Sequence, residues 1–141
     1  MEAKFTALLA NLSPKALKQL KRNIGRKLAQ SQRQRIAKQQ NPDGTPFAPR
    51  KPQKRGRIKR KGMFVKLRRA KFLKTNTKGE QLSVGFWGSD AHIASVHQYG
   101  LKSRVHRKRN YKAQYAKREL LGFTEQDKEM IEALIIQQLS V

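Results

Sequence analysis

Residues 13–44, SPKALKQLKRNIGRKLAQSQRQRIAKQQNPDG, decide how this chain is organised. Ser13 is a favoured N-cap, and Pro14 follows at the first helical position, where its missing N–H costs nothing. Leu17, Leu20, Ile24, Leu28 and Ile36 then hold to one stripe, with Lys, Arg and Gln on the other faces. Gly25 lies inside this stretch and weakens its intrinsic helicity. The helix is predicted to end near Gln40. Asn41-Pro42-Asp43-Gly44 then places the preferred residue at each position of a type I turn.

Working outward, Phe5, Leu8, Leu9 and Leu12 recur at helical spacing and predict a short amphipathic helix before Ser13. On the other side, residues 45–62 contain three Pro, two Gly and eight Lys or Arg, and read as a basic extended arm. Met63, Phe64, Leu67 and Ala70 suggest a short helix. Phe72-Leu73-Lys74-Thr75 and Gln81–Trp87 flank Asn76-Thr77-Lys78-Gly79-Glu80 and read as a β-hairpin, with Leu82, Val84 and Phe86 toward one face. Ala91–Tyr99 reads as a helix with Asp90 as its N-cap and Gly100 as its C-cap. Residues 101–118 are basic and carry no clear period. Thr124 can cap a last helix, with Met130, Ile131, Leu134, Ile135 and Leu139 as its buried stripe. The expected fold is α+β. Long N-terminal and C-terminal helices pack with a small antiparallel sheet (hairpin near 72–87), and a basic arm extends near 45–62. One domain spans residues 1–141.

Charge narrows the function. The chain has 33 Lys and Arg against 9 Asp and Glu, a net +24 on 141 residues. Thirteen basic side chains fall between Arg50 and Lys74, and no acid occurs between Asp43 and Glu80. Eight more lie between Lys102 and Arg118. Residues 1–118 hold 32 basic and 4 acidic side chains, a net +28; residues 119–141 hold 1 and 5, a net −4. A body this positive repels itself unless something negative lies close, phosphate first and an acidic protein surface second. With no Cys, disulfides and thiolate metal sites are excluded. No apolar run reaches the roughly 18–20 residues of a membrane span, and Met1–Leu12 lacks the layout of a signal peptide. The reading is a protein that works in solution, inside a cell or an assembly built there.

Catalysis finds little to work with. His92 and His97 are five residues apart, off a common helical face, whereas metal-binding pairs on helices use three or four. His97 is expected to be a packed or capping residue. His106, between Arg104 and Arg107, is expected to sit on the surface with its protonation disfavoured. A nuclease would need acids converging on Mg²⁺. Asp43 belongs to its turn, Asp90 to a cap, and Glu125, Asp127 and Glu129 to the first turns of the last helix, where the macrodipole favours them. No enzyme, cofactor, metal or small-molecule substrate is expected. Binding remains. The candidate phosphate contacts are Arg50, Lys51, Lys54, Arg55, Arg57, Lys59, Arg60, Lys61, Arg68 and Arg69, in a segment with little to bury. The lack of interleaved aromatics argues against base stacking, so contact with the backbone of the duplex, weakened by salt, is expected.

Three stretches resemble the phage virion morphogenesis, or tail completion, family of tailed bacteriophages. They are Arg35-Ile36-Ala37-Lys38-Gln39-Gln40-Asn41-Pro42-Asp43-Gly44-Thr45-Pro46-Phe47-Ala48-Pro49, then Ile93-Ala94-Ser95-Val96-His97-Gln98-Tyr99-Gly100, then Arg118-Glu119-Leu120-Leu121-Gly122-Phe123-Thr124. Pro42, Asp43, Gly44, His97, Gln98, Gly100, Leu121 and Gly122 fall on the family pattern, as structural positions. Phe47 stands where the family more often has Trp, and the Pro expected shortly before Leu121-Gly122 is missing. The resemblance implies a non-enzymatic virion protein of the neck, a six-fold ring of identical subunits assembled in the host cytoplasm and joined to other neck or tail proteins. Residues 50–74 would then line or clamp a channel for double-stranded DNA, and the acidic C-terminal helix would meet the basic face of the next subunit. Composition alone points instead to a sequence-independent nucleic-acid-binding protein of the ribosomal or nucleoid type.

Overall fold

The structure, a computed structural model, describes residues 13–50, 62–79, 81–104 and 111–139. In chain order these form helix α1 (Pro14–Ala37), strands β1 (Lys74–Asn76) and β2 (Ser83–Gly85), helix α2 (Ser89–Tyr99), strands β3 (Lys102–Arg104) and β4 (Lys112–Gln114), and helix α3 (Glu125–Leu139). β1 pairs with β2 and β3 with β4, giving two small antiparallel sheets in an α+β fold. The predicted helix at residues 5–12, and His106, lie outside the described residues. So does most of the expected arm, residues 51–61.

The chain divides into two compact units. One takes residues 1–31, 75–84 and 123–141, the other residues 32–74 and 85–122. In the first, Ser13 Oγ accepts a hydrogen bond from the Ala16 N–H at 3.2 Å, the predicted N-cap of α1. Leu20, Ile24 and Leu28 are buried, as their spacing predicts. Gly25 has a packing reason: a Cβ there would stand 2.9 Å from Leu82 Cδ1 of the hairpin. Lys21 Nζ ties down the hairpin turn by donating to the carbonyls of Thr77 at 3.2 Å and Gly79 at 2.6 Å.

Helix α3 starts in a capping box. Thr124 Oγ1 accepts from the Asp127 N–H at 3.0 Å, and Asp127 Oδ2 accepts from the Thr124 N–H at 3.0 Å. The other oxygen of Asp127 accepts from Ser31 Oγ on α1, which joins the two helices. Asp127 is the buried residue of α3. The apolar stripe differs from its expectation: Met130, Ile131, Leu134, Ile135 and Leu139 are half-buried. With Ile136 they run around most of the helix circumference, more than one packing contact covers.

In the second unit α1 ends three residues earlier than the predicted Gln40, and Gln39 takes the left-handed conformation (φ 57°). The turn follows as predicted, with the Gly44 N–H donating to the Asn41 carbonyl at 2.9 Å and Gly44 at φ 89°. Residues 45–50 are built into the fold, since Pro46 bridges to Gln40 and Phe47 is buried. The short helix expected over Met63–Ala70 is instead a run of turns. Phe64 sits at φ 64°, a conformation that no right-handed helix continues through, and Met63 and Phe64 are both buried. Helix α2 begins at Ser89 with Gly88 (φ 69°) as its N-cap, so Asp90 lies in the first turn rather than at the cap. Gly100 closes the helix in the left-handed region (φ 62°, ψ 57°), as expected. Residues 101–118, unassigned from sequence, hold the β3–β4 ribbon, in register Lys102↔Gln114, Ser103↔Ala113 and Arg104↔Lys112.

Candidate functional site

The second unit brings residues 35–49, 93–100 and 118–122 together, and three glutamine amides in it pair with backbone. A primary amide carries both a donor and an acceptor, so it can pair with one residue's C=O and N–H at once. Gln98 Nε2 donates to the Leu121 carbonyl at 2.8 Å while Gln98 Oε1 accepts from the Leu121 N–H at 3.0 Å. Gln32 does the same to Gly122, at 2.9 and 3.2 Å. Gln39 does so to Met63, at 2.7 and 2.6 Å. Each amide replaces the backbone partner that an irregular buried segment lacks.

Two buried arginines complete the junction. Arg35 Nη1 donates to the carbonyls of Gln40 at 2.9 Å and Glu119 at 2.8 Å, and its Nη2 to the Leu120 carbonyl at 2.7 Å and Gln32 Oε1 at 2.6 Å. Arg118 Nε donates to the Ala48 carbonyl at 2.7 Å, and its Nη2 to the Pro49 carbonyl at 3.0 Å. The Glu119 N–H donates to Asn41 Oδ1 at 2.9 Å. Gly122 packs so close to Pro42 that a Cβ would lie 2.4 Å from Pro42 Cγ. Residues 118–122 are therefore held by groups from both other stretches. Guanidinium forks suit this work because each satisfies several carbonyls in fixed directions.

His97 is buried at the centre of an aromatic row. Its ring meets Phe64 at 4.8 Å and Tyr115 at 5.1 Å, both edge-on, and Phe64 in turn meets Phe47 at 5.7 Å. Arg118 Nη1 lies 3.2 Å from His97 Nδ1, and the His97 carbonyl accepts from the Arg118 N–H at 2.7 Å. Since a guanidinium can only donate, Nδ1 is the acceptor and the neutral ring carries its proton on Nε2. Burial first, then the charges of Arg118 and Arg50, push the His97 pKa down to about 4. Burial and the Arg50 charge also lower the Arg118 pKa. His97 is thus packed, as the sequence reading has it.

Asp43 and Gly100 also make close local contacts. Asp43 Oδ1 accepts from the Thr45 hydroxyl at 2.5 Å and the Thr45 N–H at 2.9 Å, which lowers its pKa. A Cβ at Gly100 would meet the Lys117 backbone nitrogen at 3.2 Å. Gln32, Arg35 and the role of Arg118 were not singled out from the sequence. The signal was present for Gln32, which stands midway on the apolar stripe, four residues from Leu28 and four from Ile36.

Of the sequence-derived phosphate contacts, Arg50 is half-buried and its Nη2 donates to the Gly62 carbonyl at 3.3 Å. Arg68 is half-buried and Arg69 exposed. Lys51, Lys54, Arg55, Arg57, Lys59, Arg60 and Lys61 lie outside the described residues. Among the described residues no group of three His, Asp or Glu could hold a metal ion, and no helix is long and apolar enough to cross a membrane.

The sequence profile of the phage virion morphogenesis family matches residues 1–140. Over 143 aligned residues the chain is 45% identical to a protein described as Tail completion protein S, of Escherichia phage P2. The alignment covers 98% of this chain and 94% of that protein. No solved structure matches significantly.

Proposed function

The chain belongs to the phage virion morphogenesis family, and on that premise we propose that it is a structural, non-enzymatic protein of the virion that completes the tail. The observation that carries this reading is the 45% identity to the P2 tail completion protein across 98% of the chain. The buried junction supports it. Its polar side chains are used in holding the fold: His97 and Arg118 bond to each other, and Gln32, Gln98 and Arg35 bond to backbone. What the protein offers to partners is then its surface. The profile match from residue 1 to 140 spans both compact units, which favours treating them as one subunit.

In its finer form the proposal is a ring at the neck, six subunits of one kind, assembled in the host cytoplasm and docked on other tail or connector proteins. Residues 50–74 contribute to lining or clamping the DNA channel, with Arg50, Lys51, Lys54, Arg55, Arg57, Lys59, Arg60, Lys61, Arg68 and Arg69 as the proposed phosphate contacts. A net charge of +24 supports a polyanion close at hand. The test is complementation of a phage lacking this protein by a chain with Arg55, Arg57, Lys59 and Arg60 changed to Gln. Joined, DNA-retaining particles should fall in number, counted by electron microscopy and infectivity, while far-UV circular dichroism stays unchanged. An unchanged yield removes these residues from the mechanism. Normal tails and heads in the complete absence of the protein would overturn the tail-completion reading, and tight salt-sensitive binding of naked DNA by the monomer would favour a nucleoid-type protein.

A further inference from the structure

On the outer side of the β3–β4 ribbon, Arg104 stands directly opposite Lys112, and Lys102 opposite Gln114. All four are exposed, while Ser103 and Ala113 on the other side are half-buried. Like charges directly across a two-stranded pair oppose the pairing that holds them, and no described carboxylate is bonded to either side chain. The ribbon is therefore built to hold cations together against repulsion, an arrangement that an anionic partner would relieve. Beside it is a surface cavity of about 410 Å³, with Ile93, Val96 and Tyr115 as its apolar lining and His92, His97, Ser103 and Arg104 as its polar part. Ile93 is 49% exposed, unusual for an isoleucine. Duplex DNA would use the cations and leave the apolar cavity unfilled. A partner matching both halves has acids and an apolar side chain along one line.

Helix α3 carries that combination. Glu125, Glu129, Glu132 and Ile136 follow at spacings of four, three and four, and so share one face of the helix. The three acids are exposed, and Ile136 is 53% exposed. Residues 119–141 carry the only net negative charge in the chain, 1 basic against 5 acidic side chains. We infer that the β3–β4 ribbon and its cavity form the receiving site for α3 of a second copy of this chain. Glu129 and Glu132 meet Arg104 and Lys112, and Ile136 enters the cavity beside Ile93. The contact is heterologous, since the two surfaces are different, and it leaves the pair with one unused acceptor site on one copy and one unused donor helix on the other. Repeated, it closes into a ring or continues as a filament. This inference rests on the ring reading above and names the surfaces that make the ring.

The absence of cysteine permits a direct test. The full chain is prepared as Ile93→Cys, as Ile136→Cys, and as the double variant, and each is oxidised at low concentration. The double variant should give a ladder of covalent species beyond the dimer on a non-reducing gel, while each single variant gives at most a dimer. In parallel, Arg104→Glu with Lys112→Glu should reduce the oligomer to monomer mass by light scattering. Adding Glu129→Lys and Glu132→Lys to that same chain should restore it. An oligomer that persists with no ladder and no response to charge reversal overturns this contact and leaves the ring reading standing. A wild-type chain that is monomeric both alone and on isolated tails overturns both. If the reversed variant keeps its mass and instead loses duplex DNA, the ribbon reads phosphate and the inference is wrong.

Discussion

Two regions of the second unit use the same residue types in opposite ways. In the motif junction Arg35 and Arg118 are buried and donate to backbone carbonyls and to the neighbouring Gln32 and His97. In the β3–β4 ribbon Arg104, Lys112 and Lys102 are exposed, and two of them face each other. A buried guanidinium is retained because removing it strands the groups it satisfies, so its charge belongs to the fold. An exposed cation with a like-charged neighbour adds nothing to the fold, so its charge is open to a partner. Net charge counts both alike. Part of the +24 is structural, and the surface that binds is found only by asking which cations the fold already uses.

The sharpest break of this contrast is Arg35→Leu. The carbonyls of Gln40, Glu119 and Leu120 would lose a buried donor together, so a loss of about 3–5 kcal/mol is expected by urea denaturation. Arg104→Leu, on the ribbon, should leave the denaturation midpoint nearly unmoved. Equal losses from the two substitutions would mean that buried and exposed arginines do not differ here as the structure has it.

His97 gives the junction a pH dependence. Its pKa is about 4 in the fold against 6.5 in the unfolded chain, so protons bind the unfolded state preferentially. The stabilisation is full above pH 6.5 and is lost as pH falls from there to about 4. At about 1.4 kcal/mol per pKa unit, the loss is at most about 3.5 kcal/mol. His97→Asn keeps an acceptor near the place of Nδ1 and removes the titration. Its stability should be flatter than wild type across that window, measured by chemical denaturation at a series of pH values. Identical slopes would place the neutral His97 outside the stability of the junction.

Gly122→Ala tests the close approach to Pro42. The new Cβ would fall 2.4 Å from Pro42 Cγ, so one segment must shift, at a cost of about 1–3 kcal/mol. Pro42→Ala removes that Cγ, and the double variant should recover part of the loss. Strict additivity would show that the two stretches do not press on each other.

The contrast also marks what could be read from the sequence. Helix α1 was legible because Leu20, Ile24 and Leu28 repeat at the helical period and are buried at that period. The turn at Asn41–Gly44 and the caps at Thr124 and Gly100 were legible because each position demands a particular residue chemistry. The β3–β4 ribbon was not. Lys102-Ser103-Arg104 and Lys112-Ala113-Gln114 have no apolar alternation, since one side faces water and the other buries only Ser and Ala in part. Met63–Ala70 misled because Met63 and Phe64 reach the core through a left-handed residue instead of a helical face. The junction was half legible. The resemblance marked Gln98, Leu121 and Gly122, but a glutamine that pairs with backbone looks in sequence like a solvated one.

Lys112→Gln carries the smallest effect on the fold and the most pointed sign. Removing a cation from a designed scaffold contact destabilises, whereas removing one of two like charges held opposite each other relieves repulsion. The melting temperature should move by no more than about 2 °C, and upward, most visibly at low salt where screening is weak. The same variant should associate less tightly than wild type, with a shallower dependence of oligomer mass on salt. A fall in melting temperature would mean that Lys112 supports the ribbon, and the cations of β3 and β4 would then join Arg35 and Arg118 as charges spent on the fold.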